Sequence, residues 1–380
     1  MAVNQSSSTQ TETHKDVQAY YGLTIQKTAD LQTGACCSSE SMPVHIRPII
    51  RDIDPEILDK FYGCGSPIPP AIDGCTVLDL GCGTGRDSYI CSKLVGEHGR
   101  VIGVDMTRAQ LDVAERHRDS HAQRFGFDAS NVRFHEGMME DLAAAGIQSD
   151  SVDVVISNCV INLAPDKERV FDEIFRVIKP GGELYFSDVF ADRRLPPALM
   201  KDPVLVGECL AGAMYIEDFR RMLSRFDVPD FRVVQSRPLP IHNPLIERQL
   251  SPSRFYSITV RAFKLDDLED RCEDYGQIAT YKGTIEGYES VFTLDDHHHF
   301  TAHKPMPVCG NTASMLGGTR LGPHFIVQGD RSRHFGVMDA CANGAMPAAQ
   351  QASTAPTPIA SNPFAVSQST QAPGANGGCC

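Results

Sequence analysis

Four cysteines and one glycine-rich loop are the residues of this chain best suited to chemistry. The cysteines are Cys36, Cys64, Cys159 and Cys209, and the loop Leu-Gly-Cys-Gly-Thr-Gly occupies positions 80–85. No two of these cysteines form a CxxC pair, so their spacing indicates neither a zinc knuckle nor a redox dithiol. Their wide separation is typical of side chains that a fold gathers around one small, thiol-binding ligand.

The remaining composition narrows the class of protein. A net charge of −13 with dispersed Lys and Arg residues argues against a nucleic-acid partner, because no basic stripe is present to neutralise phosphates. The N-terminus is polar, and no stretch approaches the ~20 apolar residues of a spanning helix, so we expect a cytoplasmic protein with no membrane partner. In that compartment the 13 cysteines are expected to be mostly thiols.

The glycine loop has the spacing Gly81-x-Gly83-x-Gly85, with Asp79 before it. A dinucleotide fingerprint would be GxGxxG, but position 86 is Arg86. The observed spacing resembles motif I of class I S-adenosylmethionine (AdoMet) methyltransferases, and Asp105 ends the next predicted strand, where ribose hydroxyls would be held. The alternatives are a tight turn with no ligand and an NAD site.

From residue 76 the chain alternates predicted strands and helices, which indicates an α/β fold: a Rossmann-like sheet with helices on both faces. The predicted strands are 77–80, 100–105, 131–135, 151–157, 183–188, 231–236 and 255–263, and the predicted helices are 17–31, 88–95, 107–125, 166–178, 197–213 and 216–226. Asp166 is expected to cap its helix, and residues 179–182 (Lys-Pro-Gly-Gly) are expected to end it.

Five regions are predicted along the chain. They are a disordered N-terminus (1–16), a helical, thiol-bearing segment (17–75), a cofactor-binding domain (76–264), a small C-terminal α+β domain (265–341) and a disordered tail without charged residues (342–380). We expect truncation after residue 345 to leave catalysis nearly intact.

The cysteines fall into two groups by context. Cys75, Cys82 and Cys91 lie on or beside core elements and are expected to be small buried hydrophobes. Cys159 follows the fourth strand, at the edge where ligands of such sheets bind, and Cys209 follows the fifth strand.

With these motifs the sequence resembles the arsenite methyltransferase family from about residue 17 to 340. The matching segments are 20–22 (YYG), 29–33 (ADLQT), Cys36-Cys37, 62–65 (YGCG), 78–87 (LDLGCGTGRD), 157–163 (SNCVINL), 207–210 (GECL) and 308–312 (VCGNT). The glycine loop is shared by many methyltransferases, whereas the four-cysteine set is specific to this family.

The resemblance implies roles for individual residues. Cys159 and Cys209 match the pair that holds As(III) throughout, Cys64 matches the third thiolate, and Cys36 matches the partner that forms a disulfide with Cys64 during turnover; Cys37 has no assigned role. Further residues are expected to contact AdoMet, either from the resemblance or because they lie near the glycine loop. They are Tyr62, Asp79, Gly81, Gly83, Asp105, Met106, Met138, Met139, Glu140 and Asn158. The family often has an aromatic residue where Met138 and Met139 stand.

This chemistry suits the residue types. Soft thiolates select thiophilic centres, and three sulfurs around As(III) leave its lone pair free to attack a methyl sulfonium. Arsenic carries no proton, so no general base is needed, and alignment alone can contribute roughly 7–11 kcal/mol. A thiol reductant, glutathione or thioredoxin, is implied as co-substrate. The expected substrate is As(III) or its thiol conjugate, and a monomer is expected.

Other interpretations remain open. The chain could methylate a different small acceptor with its cysteines merely buried, or it could be a metalloid sensor or sequestration protein. A sensor or sequestration protein, unlike a methyltransferase, would not need the glycine loop or Asp105. The His-rich segment 295–303 is interpreted as a solvated loop rather than a metal site, and Cys379 and Cys380 as incidental thiols rather than arsenic scavengers.

Overall fold

The computed structural model describes residues 14–15, 17–18, 42–61, 63 and 65–338. Several predictions lie outside these residues. They concern Cys36, Cys37, Tyr62 and Cys64, the predicted helix beyond Gln18, and the tail 342–380.

Within the described residues, eight strands form the main sheet. They are β1 (Thr76–Leu80), β2 (Arg100–Asp105), β3 (Val132–Glu136), β4 (Val152–Asn158), β5 (Ile178–Ala191), β6 (Met214–Tyr215), β7 (Phe231–Leu239) and β8 (Phe255–Phe263). Their order is β3-β2-β1-β4-β5-β8-β7, with β6 beside β5. Strands β1 to β5 pair in parallel, whereas β8 is antiparallel to both β5 and β7. The chain order reverses between β1 and β4, and ligands of open α/β sheets bind at such a point.

Helices pack on both sides of this sheet. The described helices are α1 (Arg47–Arg51), α2 (Pro55–Asp59), α3 (Arg86–Val95), α4 (Arg108–Arg116), α5 (Arg118–Phe125), α6 (Lys167–Val177), α7 (Pro203–Gly207), α8 (Ile216–Ser224), α9 (Pro244–Leu250) and α10 (Gly310–Gly317). Successive residues of β1 belong to different apolar clusters, Val77 to one and Leu78 to the other. Because side chains alternate along a strand, the sheet is buried on both faces, as predicted.

The C-terminal part of the described chain builds smaller sheets around its own apolar cluster. Its strands are β9 (Glu273–Asp274), β10 (Gln277–Tyr281), β11 (Val291–Thr293), β12 (His299–Thr301), β13 (Pro305–Val308), β14 (Phe325–Gln328) and β15 (Gly336–Val337). Phe292, Phe300 and Phe325 are buried in that cluster. This part therefore has a core of its own, although Phe263 of β8 also packs into it.

Two predicted helices are shorter in the structure. The helix predicted over 107–125 is divided at His117, whose backbone leaves the helical conformation (ψ 3°) and whose ring bonds Glu56 at 2.8 Å. The helix predicted over 197–213 is replaced by a 3₁₀ turn and the short α7, because Asp202 stands before Pro203 in an extended conformation and caps α7.

Strand β5 differs from its prediction at both ends. It begins at Ile178 and continues to Ala191, so residues 179–182 belong to it rather than to a loop. Its pairing with β4 shifts between Ile178 and Glu183, and regular pairing begins at Glu183, as predicted. Proline and glycine therefore mark an irregularity in the strand here. The Asp166 side chain caps α6 as expected, accepting a hydrogen bond from the Arg169 N–H.

The structure also differs from the prediction for the N-terminus. His14 and Lys15 are helical, although residues 1–16 are predicted to be disordered. The apolar spacing of the sequence begins only at Val17 and gives no signal before it. No helix among the described residues has the length and apolar character needed to cross a membrane.

Candidate active site

A cleft opens at the carboxyl ends of β1, β2 and β4. All described residues that the sequence analysis assigns to the cofactor line it: Asp79, Gly81, Gly83, Asp105, Met106, Met138, Met139, Glu140 and Asn158. Cys159 also lines it, so the cleft adjoins one of the predicted arsenic ligands.

The glycine loop has a backbone that only glycine adopts easily. Gly81, Gly83 and Gly85 all have positive φ. A Cβ atom on Gly81 would stand 2.3 Å from a methyl group of Val160, so the loop packs directly against the segment that carries Cys159. A Cβ on Gly83 would meet no protein atom within 4 Å. The loop is thus shaped to bring its backbone close to a ligand.

Asp105 organises this loop. Its carboxylate accepts hydrogen bonds from the Gly83 N–H at 2.9 Å and from the Thr107 N–H at 2.8 Å. Asp105 is expected from the sequence to hold ribose hydroxyls, and in the structure it also holds the backbone of the glycine loop. Burial raises the pKa of Asp105.

Asp79 is the second buried carboxyl of the cleft. It accepts a hydrogen bond from the Ser88 hydroxyl at 2.6 Å. Burial, and then the nearby Asp87 carboxylate, raise the pKa of Asp79 to about 7. A buried carboxyl of this kind would gain from a cationic partner, and AdoMet carries both an ammonium and a sulfonium group.

Two contacts near the N-terminus are not predicted from the sequence. The His14 ring is 3.0 Å from the Glu140 carboxylate, and the Gln18 side chain donates to the Met106 carbonyl at 2.8 Å. The pairing joins residues 126 positions apart, and no local pattern signals it. Leu163 also lines the cleft. It belongs to the SNCVINL segment, whose family resemblance could have indicated a position near the site.

The structure brings Cys159 and Cys209 together. The Sγ atom of Cys209 donates a hydrogen bond to the Cys159 carbonyl at 2.9 Å. Both residues have left-handed backbones, with φ of 56° and 61°, a conformation that costs a non-glycine residue roughly 1–2 kcal/mol. Both are buried in an apolar cluster that also contains Val17. Their surroundings are therefore shielded from water.

The oxidation states of the described cysteines differ. Cys159 is disulfide-bonded, whereas Cys209 is a thiol, as are Cys75, Cys82, Cys91, Cys272 and Cys309. Burial raises the pKa of the Cys82 and Cys91 thiols well above the usual value. Neutral, buried thiols of this kind are inert, which agrees with the interpretation of Cys82 and Cys91 as small hydrophobes.

Asn158 links the cysteine turn to the segment before β1. Its side chain donates to the Gly65 carbonyl at 3.0 Å and to the Asp87 carboxylate at 2.8 Å, and it accepts from the Gly65 N–H at 3.3 Å. A Cβ atom on Gly63 would stand 2.8 Å from this amide. The two chain neighbours of position 64 therefore lie beside the residue that precedes Cys159.

In the His-rich segment, Asp295, Asp296 and His297 each place a ligand atom within 4.8 Å of the others, close enough to hold a metal ion. Asp295 accepts hydrogen bonds from Arg232 at 3.0 Å and from the buried His298 ring at 2.8 Å. Asp296 and His297 are exposed and bond each other. His298 thus belongs to a buried ionic network, which differs from the expectation of a wholly solvated loop.

Comparison with known proteins agrees with the geometry. Residues 72–227 match a family model described as a methyltransferase domain, and residues 275–380 match one described as the arsenite methyltransferase C-terminal domain. An arsenite methyltransferase of Aquipseudomonas alcaligenes is 50% identical over 344 residues, covering 90% of this chain and 99% of its own length. The human arsenite methyltransferase is 41% identical, covering 83% of this chain and 84% of its own length.

A solved structure gives the same result. An arsenic(III) S-adenosylmethionine methyltransferase from Chlamydomonas reinhardtii superposes with a TM-score of 0.76 at 51% identity, covering 79% of this chain and 100% of its own. The C-terminal family match reaches residue 380, beyond the limit near residue 340 inferred from motifs.

The sheet order, the glycine loop and the cleft define a class I AdoMet-dependent methyltransferase. At the identities and coverage given above, the chain belongs to the arsenite methyltransferase family. The predicted fold, the predicted family and AdoMet as the methyl donor are confirmed.

Proposed function

We propose that this enzyme methylates trivalent arsenic held by cysteine sulfurs, with Cys159 and Cys209 as the pair that stays bound and Cys64 as the third ligand. The observation that carries the proposal is the contact between Cys209 and the Cys159 carbonyl, made where Cys159 borders the cofactor cleft. The bonds of Asn158 to Gly65 support the role of Cys64, since they fix its chain neighbour near Cys159.

The cleft fits AdoMet through its backbone and its charge. Gly81 and Gly83 allow close approach, Asp79 and Asp105 supply carboxyls for the ammonium and hydroxyl groups, and Glu140 lies with Met138 and Met139 at the adenine side assigned by resemblance; Tyr62 is assigned to the sulfonium side in the same way. When bound, AdoMet supplies an electrophilic methyl group on its sulfonium.

The protein's task is to place arsenic and exclude water. The sulfur ligands leave the arsenic lone pair for the methyl group, and no base has to remove a proton. The apolar cluster around Cys159 and Cys209 keeps water away from both sulfurs. Alignment of this kind can account for roughly 7–11 kcal/mol of a barrier.

Electron balance requires a thiol reductant. Attack by the lone pair leaves arsenic formally pentavalent, and oxidation of two thiolates to a disulfide returns the two electrons. We assign this to Cys36 and Cys64, whose disulfide glutathione or thioredoxin then reopens. Cys159 is itself disulfide-bonded in this structure, so arsenic binding there requires prior reduction by the same class of reductant.

Alkylation of the reduced enzyme tests these ligands. With As(III) present, Cys64, Cys159 and Cys209 should be protected from a thiol-blocking reagent, as measured by mass spectrometry of the digested protein. Labelling of Cys75, a buried thiol outside the proposed site, should be low both with and without arsenic, and Cys75 provides the unreactive reference. Equal labelling of Cys159 and Cys209 with and without As(III) would contradict the proposal and favour a different methyl acceptor.

A further inference from the structure

Asp188 lies directly behind the cysteine turn without lining the cleft. The last residue of β4, Asn158, pairs with Ser187 of β5, so Asp188 is the first β5 residue beyond the end of β4. The Cys159 N–H donates to the Ser187 carbonyl at 2.8 Å. Asp188 is completely buried, and the structure gives it no exposed surface with which to meet a substrate.

The bonds of Asp188 hold the turn that contains Cys159. One carboxylate oxygen accepts from the Asn162 side chain at 2.7 Å and from the Val189 N–H at 2.8 Å, and the other accepts from the Asn162 N–H at 3.1 Å. All of these partners are donors. A neutral amide at position 188 would therefore direct its own N–H groups at one of them.

Asn162 also contacts the turn that carries Cys209. Its side-chain amide donates to the Val189 carbonyl at 2.6 Å and makes a longer contact of 3.5 Å with the Cys209 carbonyl. The two turns are also in close backbone contact, because a Cβ atom on Gly212 would stand only 2.0 Å from the Asn162 carbonyl oxygen. Asn162 thus touches both cysteine-bearing segments.

A half-buried lysine, Lys167, stabilises the same turn. The Lys167 ammonium donates to the carbonyls of Asn162 at 3.3 Å and Ala164 at 3.1 Å. Burial lowers the pKa of Lys167, and burial raises the pKa of Asp188 to about 7. The group around Asn162 is therefore shielded from solvent and fixed by several bonds.

We propose that Asp188 is a positioning residue for the arsenic ligands: acting through Asn162, it fixes the left-handed turns that carry Cys159 and Cys209 and so sets the separation of their sulfur atoms. This inference rests on the proposed arsenic-binding role of the two cysteines. Small shifts of the turn that carries Cys209, which does not line the cofactor cleft, would alter the sulfur pair while the glycine loop and the carboxylates of the cleft stay in place.

The test uses the reduced full-length enzyme with the substitutions Asp188→Asn, Asn162→Ala and Gly212→Ala. In each, the As(III) dissociation constant should rise roughly 10–100-fold while that of AdoMet changes less than about threefold. Arsenic X-ray absorption should count fewer sulfur ligands than in the unchanged enzyme. A purely structural role would lower thermal stability without separating the two affinities.

Glu183→Gln is the matched control, because Glu183 is an equally buried carboxylate of β5 that pairs with Arg261 instead. It should retain As(III) affinity and sulfur coordination. Cys209→Ser is measured in parallel. If it binds As(III) like the unchanged enzyme, the proposed function fails. If it loses As(III) while the folded variants at 188, 162 and 212 keep full affinity and sulfur count, only the positioning role is overturned.

Discussion

The Cys209 thiol bonds the carbonyl oxygen of Cys159, a residue 50 positions earlier in the chain, at 2.9 Å. Each cysteine ends a different local element, one following β4 and the other following α7. Both have left-handed backbones. The fold thus brings together two sulfur-bearing turns, and the turn with Cys159 lines the methyl-donor cleft.

Loss of either paired sulfur should end the reaction. We expect Cys159→Ser and Cys209→Ser to reduce every methylation step to below about 1% of the unchanged activity, because a hydroxyl is a hard ligand for a soft centre. Product analysis by chromatography would measure this. Cys91→Ala is the control: Cys91 is buried within α3, and its removal should leave activity per folded molecule unchanged. Substantial turnover by either serine variant would refute the ligand pair.

Cys64 and Cys36 should behave differently from that pair. Cys64→Ser or Cys36→Ser should abolish methylation of As(III) but spare methylation of an already methylated trivalent arsenical, since that substrate needs fewer thiolates. Rates with the two substrates are compared under one reductant concentration. Equal loss with both substrates would show that the division of roles is wrong.

Gly81→Ala should weaken AdoMet binding by roughly tenfold or more, because the added methyl group meets Val160 at 2.3 Å in addition to its backbone strain. Gly126→Ala is a matched control: φ at Gly126 is also positive (80°), and a Cβ there would meet no atom within 4 Å. Both should lose roughly 1–2 kcal/mol of stability from the left-handed backbone. Equal AdoMet affinity in the two variants would argue against close approach at Gly81.

AdoMet affinity should rise with pH through the titration of Asp79. The raised pKa of about 7 means that the carboxyl is mainly neutral below this pH in the ligand-free enzyme. A cationic ligand favours the carboxylate, so binding releases a proton below about pH 7. Affinity should then rise by up to about tenfold per pH unit toward pH 7 and level off above it.

Equilibrium dialysis with labelled AdoMet measures this profile, and Asp79→Asn should flatten it. An affinity that is independent of pH in the unchanged enzyme would exclude Asp79 as a partner of the ligand's charge.

The elements around the glycine loop were predictable because their signals are local. Strand β8 has the predicted bounds, and β1 and β2 differ from prediction by at most one residue, since continuous apolar runs and glycine spacing define them. Asp105 and the glycine loop followed from the same strand ends, whereas Met138, Met139 and Glu140 followed from the family resemblance. The division of the 107–125 helix at His117 was not predictable, because it coincides with a long-range bond to Glu56.

The contacts that support the cysteine pair could not be predicted from the sequence either. The sequence predicts Asp188 on a strand and Asn162 within a family motif, but neither position indicates that the two residues bond each other. Their pairing depends on the parallel alignment of β4 with β5, which sets Asp188 beside the turn after Asn158. His14 likewise carries no local signal for its contact with Glu140.

Methyl transfer from radiolabelled AdoMet to As(III), with glutathione present and the products separated by chromatography, tests the central claim most directly. The arrangement of Cys159, Cys209 and the cofactor cleft predicts labelled methylarsenicals whose formation requires both cysteines. Absence of labelled arsenicals from an enzyme that demonstrably binds AdoMet would contradict it and assign the cleft to another acceptor.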